Sequence, residues 1–168
     1  MPTIDGIHIP DFWHDALIDL QVMDPSAILA GGCIRDLFYG VEVKDLDFFT
    51  KGPFPSWAEP HETDKDYEGM QYVLAIGSYK LQSLEANVIM VENNESHEAL
   101  LKSFDFGFCQ IAYDGKRIIK TPEFDWDFKH SIITLRHIDR YRRSLRRYCR
   151  INQRYNLDLA IPQLDEAI

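Results

Sequence analysis

Short apolar runs broken by glycine and proline set the rhythm of this chain and predict strands over much of its length. Ala27-Ile28-Leu29-Ala30 reads as a buried strand, Gly31-Gly32 as a turn, and Cys33–Tyr39 as a short amphipathic helix closed by Gly40. Asp45–Thr50 alternates polar and apolar positions before ending in Phe48-Phe49, as an acidic strand does. Gln71–Ile76 and Tyr79–Leu84 predict two strands split by Gly77-Ser78, and Ala86–Val91 predicts a third. Gly107–Tyr113 and Arg117–Lys120 read as a hairpin across Asp114-Gly115, a two-residue turn signal. Phe104, Phe106 and Phe108 alternate like the inward face of a strand.

Helical spacing appears in three places. Asp11–Leu20 predicts a helix with Asp11, after Pro10, as its N-cap. Ser96–Lys102 predicts a second, and Arg136–Tyr155 one long helix. Lys51–Tyr67, with Pro53, Pro55 and Pro60, reads as a loop holding at most a short helix. Leu157–Ile168, with Pro162, reads as irregular. The expectation is an α+β fold, a mixed sheet flanked by helices with a long C-terminal helix. A single domain would span 1–155, include a basic helix at 136–155, and leave 156–168 as an irregular tail.

At 168 residues and 45% hydrophobic content the chain can bury one good core. No run of apolar residues is long enough to span a membrane, and the N-terminus, MPTIDGIHIPDF, does not read as a signal peptide. Cys33, Cys109 and Cys149 are odd in number and far apart, which fits reduced thiols and a cytoplasmic location. The six histidines fall in no ligand spacing.

The chemistry gathers in Ala27–Thr50. In a strand alternate side chains share a face, with a rise of about 3.3 Å per residue. Asp45 and Asp47 therefore stand side by side, with Leu46 and Phe48 turned away. Two such carboxylates can converge on one metal or clamp two ions about 4 Å apart. Oxygen ligands with no His or Cys nearby in sequence favour Mg²⁺. Gly31-Gly32 lets backbone N–H groups approach a phosphate, and the helix that follows adds partial positive charge. Arg35 offers a charged fork to phosphate oxygens.

Together, GGCIRDLFYGVEVKDLDFF resembles the head motif of the polymerase-β-type nucleotidyltransferases, closest to the branch of tRNA CCA-adding enzymes and bacterial poly(A) polymerases. The residues that carry the resemblance are Gly31, Gly32, Arg35, Asp36, Gly40, Asp45 and Asp47. A second segment, Ser103–Gly115, resembles one found in small nucleotidyltransferase-like proteins of phages and large DNA viruses. The resemblance implies a nucleotidyltransferase fold and an enzyme that moves a nucleoside monophosphate from a nucleoside triphosphate to an acceptor hydroxyl, releasing pyrophosphate. It implies ATP or another triphosphate as substrate, two Mg²⁺ ions on Asp45 and Asp47, and Gly31, Gly32, Arg35 and Asp36 around the nucleotide. Members of the superfamily take a third carboxylate from a neighbouring strand. Asp105 is the chosen candidate, with Glu85 next, because Asn87 holds the natural place on the strand Ala86–Val91. Two alternatives remain: a noncatalytic binding module on the same fold, and a toxin or phage effector that modifies host tRNA or protein.

Charge adds one feature. Residues 1–135 hold 10 basic and 23 acidic groups, whereas residues 136–168 hold 8 and 4. An acidic total of −9 argues against a protein that coats nucleic acid nonspecifically. Arg136, Arg140, Arg143, Arg147, Arg150 and Arg154 recur at helical spacing as one stripe, suited to RNA or tRNA or to the domain's own carboxylates.

Overall fold

A computed structural model describes residues 3–4, 6–61, 73–92, 96–137 and 141–160. In chain order the elements are β1 (Thr3–Ile4), β2 (Ile7–His8), α1 (Asp11–Met23), β3 (Ile28–Ala30), α2 (Gly32–Tyr39), β4 (Asp45–Thr50), β5 (Glu59–His61), β6 (Val73–Leu81) and β7 (Leu84–Val91). Then come α3 (His97–Lys102), a 3₁₀ turn at Gly107–Cys109, β8 (Ile111–Tyr113), β9 (Ile118–Lys120), α4 (Pro122–His130), β10 (Ile132–Thr134), α5 (Tyr141–Tyr155) and β11 (Asp158–Ala160). The chain divides into two compact units, one of residues 1–96 and 112–119, the other of 97–111 and 120–168. No helix among the described residues is long and apolar enough to cross a membrane.

The first unit is built on a mixed seven-stranded sheet in the order β5-β6-β7-β4-β3-β8-β9. β4 and β7 run parallel, with Asp45 opposite Glu85 and Asp47 opposite Asn87. β3 lies antiparallel to β4 and to β8, and β6 antiparallel to β7 and β5. Leu46, Phe48, Ala86 and Val88 are fully buried beneath the strands that carry the acids. α1 buries Trp13, Leu17 and Leu20, spaced 4 and 3 apart, so one stripe of the helix meets the core.

Asp24, just after α1, ties three segments together. Its Oδ1 accepts from the Ser26 N–H (3.0 Å) and hydroxyl (2.6 Å), and its Oδ2 from the Thr50 hydroxyl (3.1 Å) and the Lys51 N–H (2.7 Å). The turn into β3 and the end of β4 are thereby fixed to the same carboxylate.

The second unit has its own buried polar centre. Asp127, fully buried on α4, accepts from the Thr134 N–H (2.9 Å) and hydroxyl (2.6 Å), with Arg136 Nη2 at 4.0 Å. Gly107 packs so tightly there that a Cβ would sit 2.9 Å from Asp127 Oδ2, from the Glu123 carbonyl oxygen and from Thr134 Oγ1. α4 begins at Thr121, whose hydroxyl accepts from the Phe124 N–H (3.2 Å), with Pro122 at its first position. Phe106 and Phe108 are fully buried and Phe104 nearly so.

Several elements differ from the sequence pattern. The segment expected to be two strands split by Gly77-Ser78 is one strand, β6, because both residues pair across it with β7 and β5. Glu59–His61, expected within a loop, pairs as an edge strand, where Pro60 lacks only a donor that an edge can spare. Gly107–Cys109 is a 3₁₀ turn before a shorter β8. α4 and β10 fall where no element was expected. Asp158–Ala160, expected to be irregular, pairs in parallel with β10. The last helix begins at Tyr141, so Arg136 precedes it. Arg140, residues 62–67 of the proline-rich segment, residues 71–72 of the strand expected at Gln71–Ile76 and residues 161–168 of the tail lie outside the described residues.

Asp24 yields a pH-dependent prediction. Burial alone would raise its pKa, but the hydrogen bonds from Lys51, Ser26 and Thr50 outweigh it and hold the carboxyl below its ordinary 3.8. Its contribution to stability is therefore present above 3.8 and lost as pH falls through the lowered folded value. Asp24→Asn should cost about 1–3 kcal/mol at neutral pH, as charged hydrogen bonds do. Urea melts should show the gap to wild type closing in acid below the ordinary carboxylate range.

Candidate active site

β4 alternates as its sequence demands: Asp45 is exposed, Leu46 buried, Asp47 half-buried and Phe48 buried. The two carboxylates thus share one face of the sheet. Pairing extends that face across β7 and β6 into two transverse rows. One runs Asp45, Glu85, Lys80, and the other Asp47, Asn87, Ser78. Asn87 Nδ2 donates to Asp47 Oδ1 at 2.9 Å, so the amide orients the carboxylate.

α2 starts beside this row. Its N-cap, Gly31, has φ 77° and ψ −132°, a region open to glycine and strained for any other residue. At its far end Gly40 takes the left-handed conformation and donates to the Asp36 and Leu37 carbonyl oxygens, while the Val41 N–H returns to Asp36 O at 2.8 Å. Both glycines thus set a helix boundary, and α2 is held to eight residues.

Arg35 and Asp36 are buried and joined, Nε to Oδ1 at 3.1 Å. The guanidinium folds back over the helix start, since a Cβ on Gly32 would lie 3.3 Å from Arg35 Nη2. Asp36 therefore holds Arg35 next to the glycine turn.

The Cys33 thiol, which points at the Ala30 carbonyl oxygen at 3.7 Å, reports the field here. Burial pushes its pKa far up, and the charges of Asp47, Asp45 and Asp36 push it further, against a hydrogen bond from the Asp47 backbone. The carboxylates of Asp45 and Asp47 are hard oxygen donors, which fit Mg²⁺ better than a soft metal. Among the described residues no group of three or more His, Cys, Asp or Glu gathers into a metal cluster. The residues that fit the ion are Asp45 and Asp47, with Glu85 the acid opposite Asp45 in register.

Asp105 belongs to the second unit. Its carboxylate accepts from the Ser144 hydroxyl (3.0 Å) and is ion-paired with Arg147, and its carbonyl oxygen accepts from the Arg136 N–H (2.6 Å). The sequence brought Gly31, Gly32, Arg35, Asp36, Asp45 and Asp47 together, and the structure gathers them in one unit. Ser78 and Lys80 were missed; an unbroken β6 would have put them on the acidic face by alternation.

The arginine stripe is divided. Arg142, Arg146 and Arg150, four apart, are exposed along α5, whereas Arg143, Arg147 and Arg154 are partly covered. Arg142 and Arg146 fall off the 4-3-4-3-4 spacing read from Arg136 and so were not singled out.

Residues 7–131 match the model of a family described as "Gad2: Gabija anti-defense 2 family protein". No curated protein matches the chain. Solved structures share its fold. The Bacillus stearothermophilus CCA-adding enzyme in complex with CTP is 20% identical, with a TM-score of 0.63 over 90% of this chain and 42% of that one. The Thermotoga maritima CCA-adding enzyme complexed with tRNA is 18% identical, with a TM-score of 0.63 over 88% and 38%. A tRNA-processing enzyme in an apo form is 19% identical, with a TM-score of 0.64 over 92% and 45%. The chain spans less than half the length of these proteins. They show that the chain shares the fold of these CCA-adding and tRNA-processing enzymes.

The glycine turn can be tested without any substrate. Gly31→Ala should destabilise the protein by about 1–3 kcal/mol through backbone strain. Gly32→Ala should cost less, because the atom it meets is the mobile end of Arg35. Thermal melts of the two variants should rank them in that order.

Proposed function

The chain belongs to the Gabija anti-defense 2 family, and on that premise we propose that it is a magnesium-dependent nucleotidyltransferase acting against a Gabija defence. It transfers a nucleoside monophosphate from a triphosphate to an acceptor hydroxyl and releases pyrophosphate. The observation that carries the reading is the pair Asp45 and Asp47 on one face of β4, beside a helix that begins on two glycines.

In this reading Asp45 and Asp47 would hold two Mg²⁺ ions, whose charge would lower the pKa of the acceptor hydroxyl and offset that of the leaving pyrophosphate. Asn87 keeps Asp47 in the orientation that binding needs. Gly31, Gly32 and the first turn of α2 receive phosphate oxygens through backbone N–H groups. Arg35, held by Asp36, supplies a fixed charge to them. Asp105 secures α5 through Ser144 and Arg147. The acceptor is a component of the defence or a nucleic acid that it uses, and the reduced thiols fit a cytoplasmic setting.

A second reading has an observation of its own. Asn87, a neutral side chain, stands opposite Asp47 where a further acid would strengthen metal binding. A noncatalytic member would bind nucleotide or partner through the same face without turnover.

Calorimetry with ATP, CTP, GTP and UTP, with and without Mg²⁺, tests the site. Asp45→Ala and Asp47→Ala should each abolish divalent-dependent binding while the melting curve stays near wild type, the cost of an exposed or half-exposed substitution being small. Unchanged binding in both would remove the metal assignment. Label transfer from each triphosphate to purified Gabija proteins or to RNA separates the enzyme from the noncatalytic reading.

The exposed arginines of α5 are proposed as an RNA or tRNA surface. Arg142→Glu with Arg146→Glu should weaken single-stranded RNA binding and lower the salt dependence by about one logarithmic slope unit per lost phosphate contact. Fluorescence anisotropy at two salt concentrations measures it. Absence of RNA binding at low salt would take nucleic acid off the partner list.

A further inference from the structure

α1 leaves an apolar crest in solvent. Trp13, Leu17 and Leu20 turn its inner stripe to the core. On the opposite side Ile18 is 42%, Val22 76% and Met23 60% exposed. Scattered exposed apolar side chains are ordinary, but three large ones within two turns of one helix form a patch.

The two flanks of this crest differ in charge. At about 100° per residue, Ile18 and Gln21 share one flank and Asp19 and Met23 the other. Val22 stands between them, with Asp15 about two turns earlier. The first flank is bound to the turn between β8 and β9. Gln21 Nε2 donates to the Asp114 carbonyl oxygen (2.6 Å), and a Cβ on Gly115 would lie 3.4 Å from Ile18 Cδ1. Lys116 and Arg117 follow at once and are both exposed, so this flank ends in basic residues. Arg117 is paired with Asp114 at 3.3 Å, which leaves Lys116 as the outer cation.

The other flank carries Asp15 and Asp19, both exposed. Asp19 lies toward β6: burial, and then the charge of Asp19, push the Tyr79 pKa up. β6 and the β8–β9 turn stand near opposite ends of the sheet, so the acidic and basic flanks are held apart with the apolar crest between them. All these residues belong to the first unit.

We propose that this face is where a second copy of the chain docks, α1 against α1. A two-fold axis running along the helices lays them side by side in the same direction, with Val22 against its own copy. The acidic flank of each then meets the basic flank of the other, and every contact is made twice, as a two-fold interface requires. A nucleic acid would face Asp15 and Asp19, and a protein surface of one sign would meet like charge on one flank. The patch is instead complementary to itself. The net charge of −9 opposes association at long range, but physiological salt screens it beyond roughly 8 Å, while the flanks meet at contact. One helix face and one turn fall at the small end of protein interfaces, so the dimer is reversible, with a Kd on the order of 10 μM.

Sedimentation velocity of the full chain at physiological salt, over a concentration series spanning that value, should show a monomer–dimer equilibrium. Val22→Glu should weaken it about ten-fold or more, because it sets two like charges face to face at the centre. Asp19→Lys and Lys116→Glu should each weaken self-association about three- to ten-fold. Mixed together, these two variants should associate again, since each flank of one meets an opposite charge on the other. The double variant should recover most of the wild-type affinity. The substituted side chains are exposed, so melting curves should stay near wild type. If Val22→Glu fails to fold, the mixing of the two charge variants decides. A monomer at every concentration would overturn the proposal and leave the face to a different protein. So would a dimer that Val22→Glu leaves intact, or charge variants that stay apart when mixed.

Discussion

The parallel pairing of β4 with β7 is the constraint on which the candidate site depends. An antiparallel sheet can be extended by hairpins, but two parallel neighbours need a connection that leaves one edge and returns to another. Here the chain leaves β4, runs out to β5, comes back through β6 and turns into β7. That route lays Glu85 and Asn87 opposite Asp45 and Asp47, and Lys80 and Ser78 beyond them. Polar positions that are far apart in sequence become one surface. A slip of one residue in this register would bury the acids and expose Leu46 and Phe48, so the core beneath enforces the chemistry above.

Much of this was legible before the fold was known, for physical reasons that can be named. β4 matches its expected bounds because Asp45, Leu46, Asp47 and Phe48 alternate between open and buried positions. α2 matches closely because a glycine marks each end. The failures share a cause: local signals were overruled by partners far away in the chain. Gly77-Ser78 looks like a break, but β7 on one side and β5 on the other supply the hydrogen bonds that keep it extended. α4 shows a weak apolar stripe because one of its two buried side chains is Asp127, satisfied by Thr134 rather than by hydrophobic contact. Its start, Thr121-Pro122, was nevertheless a readable signal. Three-residue strands such as β10 and β11 carry too little pattern to be seen alone.

The basic helix shows how charge read from sequence divides once geometry is known. Arg147 is committed to Asp105, with its guanidinium 5.9 Å from the centre of the Phe106 ring. Tyr148 donates to the Leu157 carbonyl oxygen at 2.9 Å and ties the end of α5 to the segment that follows. Partly buried charge of this kind anchors a helix, since removing one partner strands the other. The arginines that reach solvent, Arg142, Arg146 and Arg150, lie four apart, and only Arg150 belongs to the stripe read from sequence. A run of like charges in sequence thus mixes two roles, and only burial separates them.

The three cysteines give the fold an internal clock. Cys33 and Cys109 are buried, each in a different unit, and Cys149 is exposed on α5. A thiol reacts as its anion and only when a reagent can reach it. Cys149 will therefore be modified promptly, while Cys33 and Cys109 wait for their surroundings to open. The delay at Cys33 measures how often the glycine turn and β4 part, and the delay at Cys109 measures the same for the second unit. Native chemistry has placed one silent reporter in each half of the molecule.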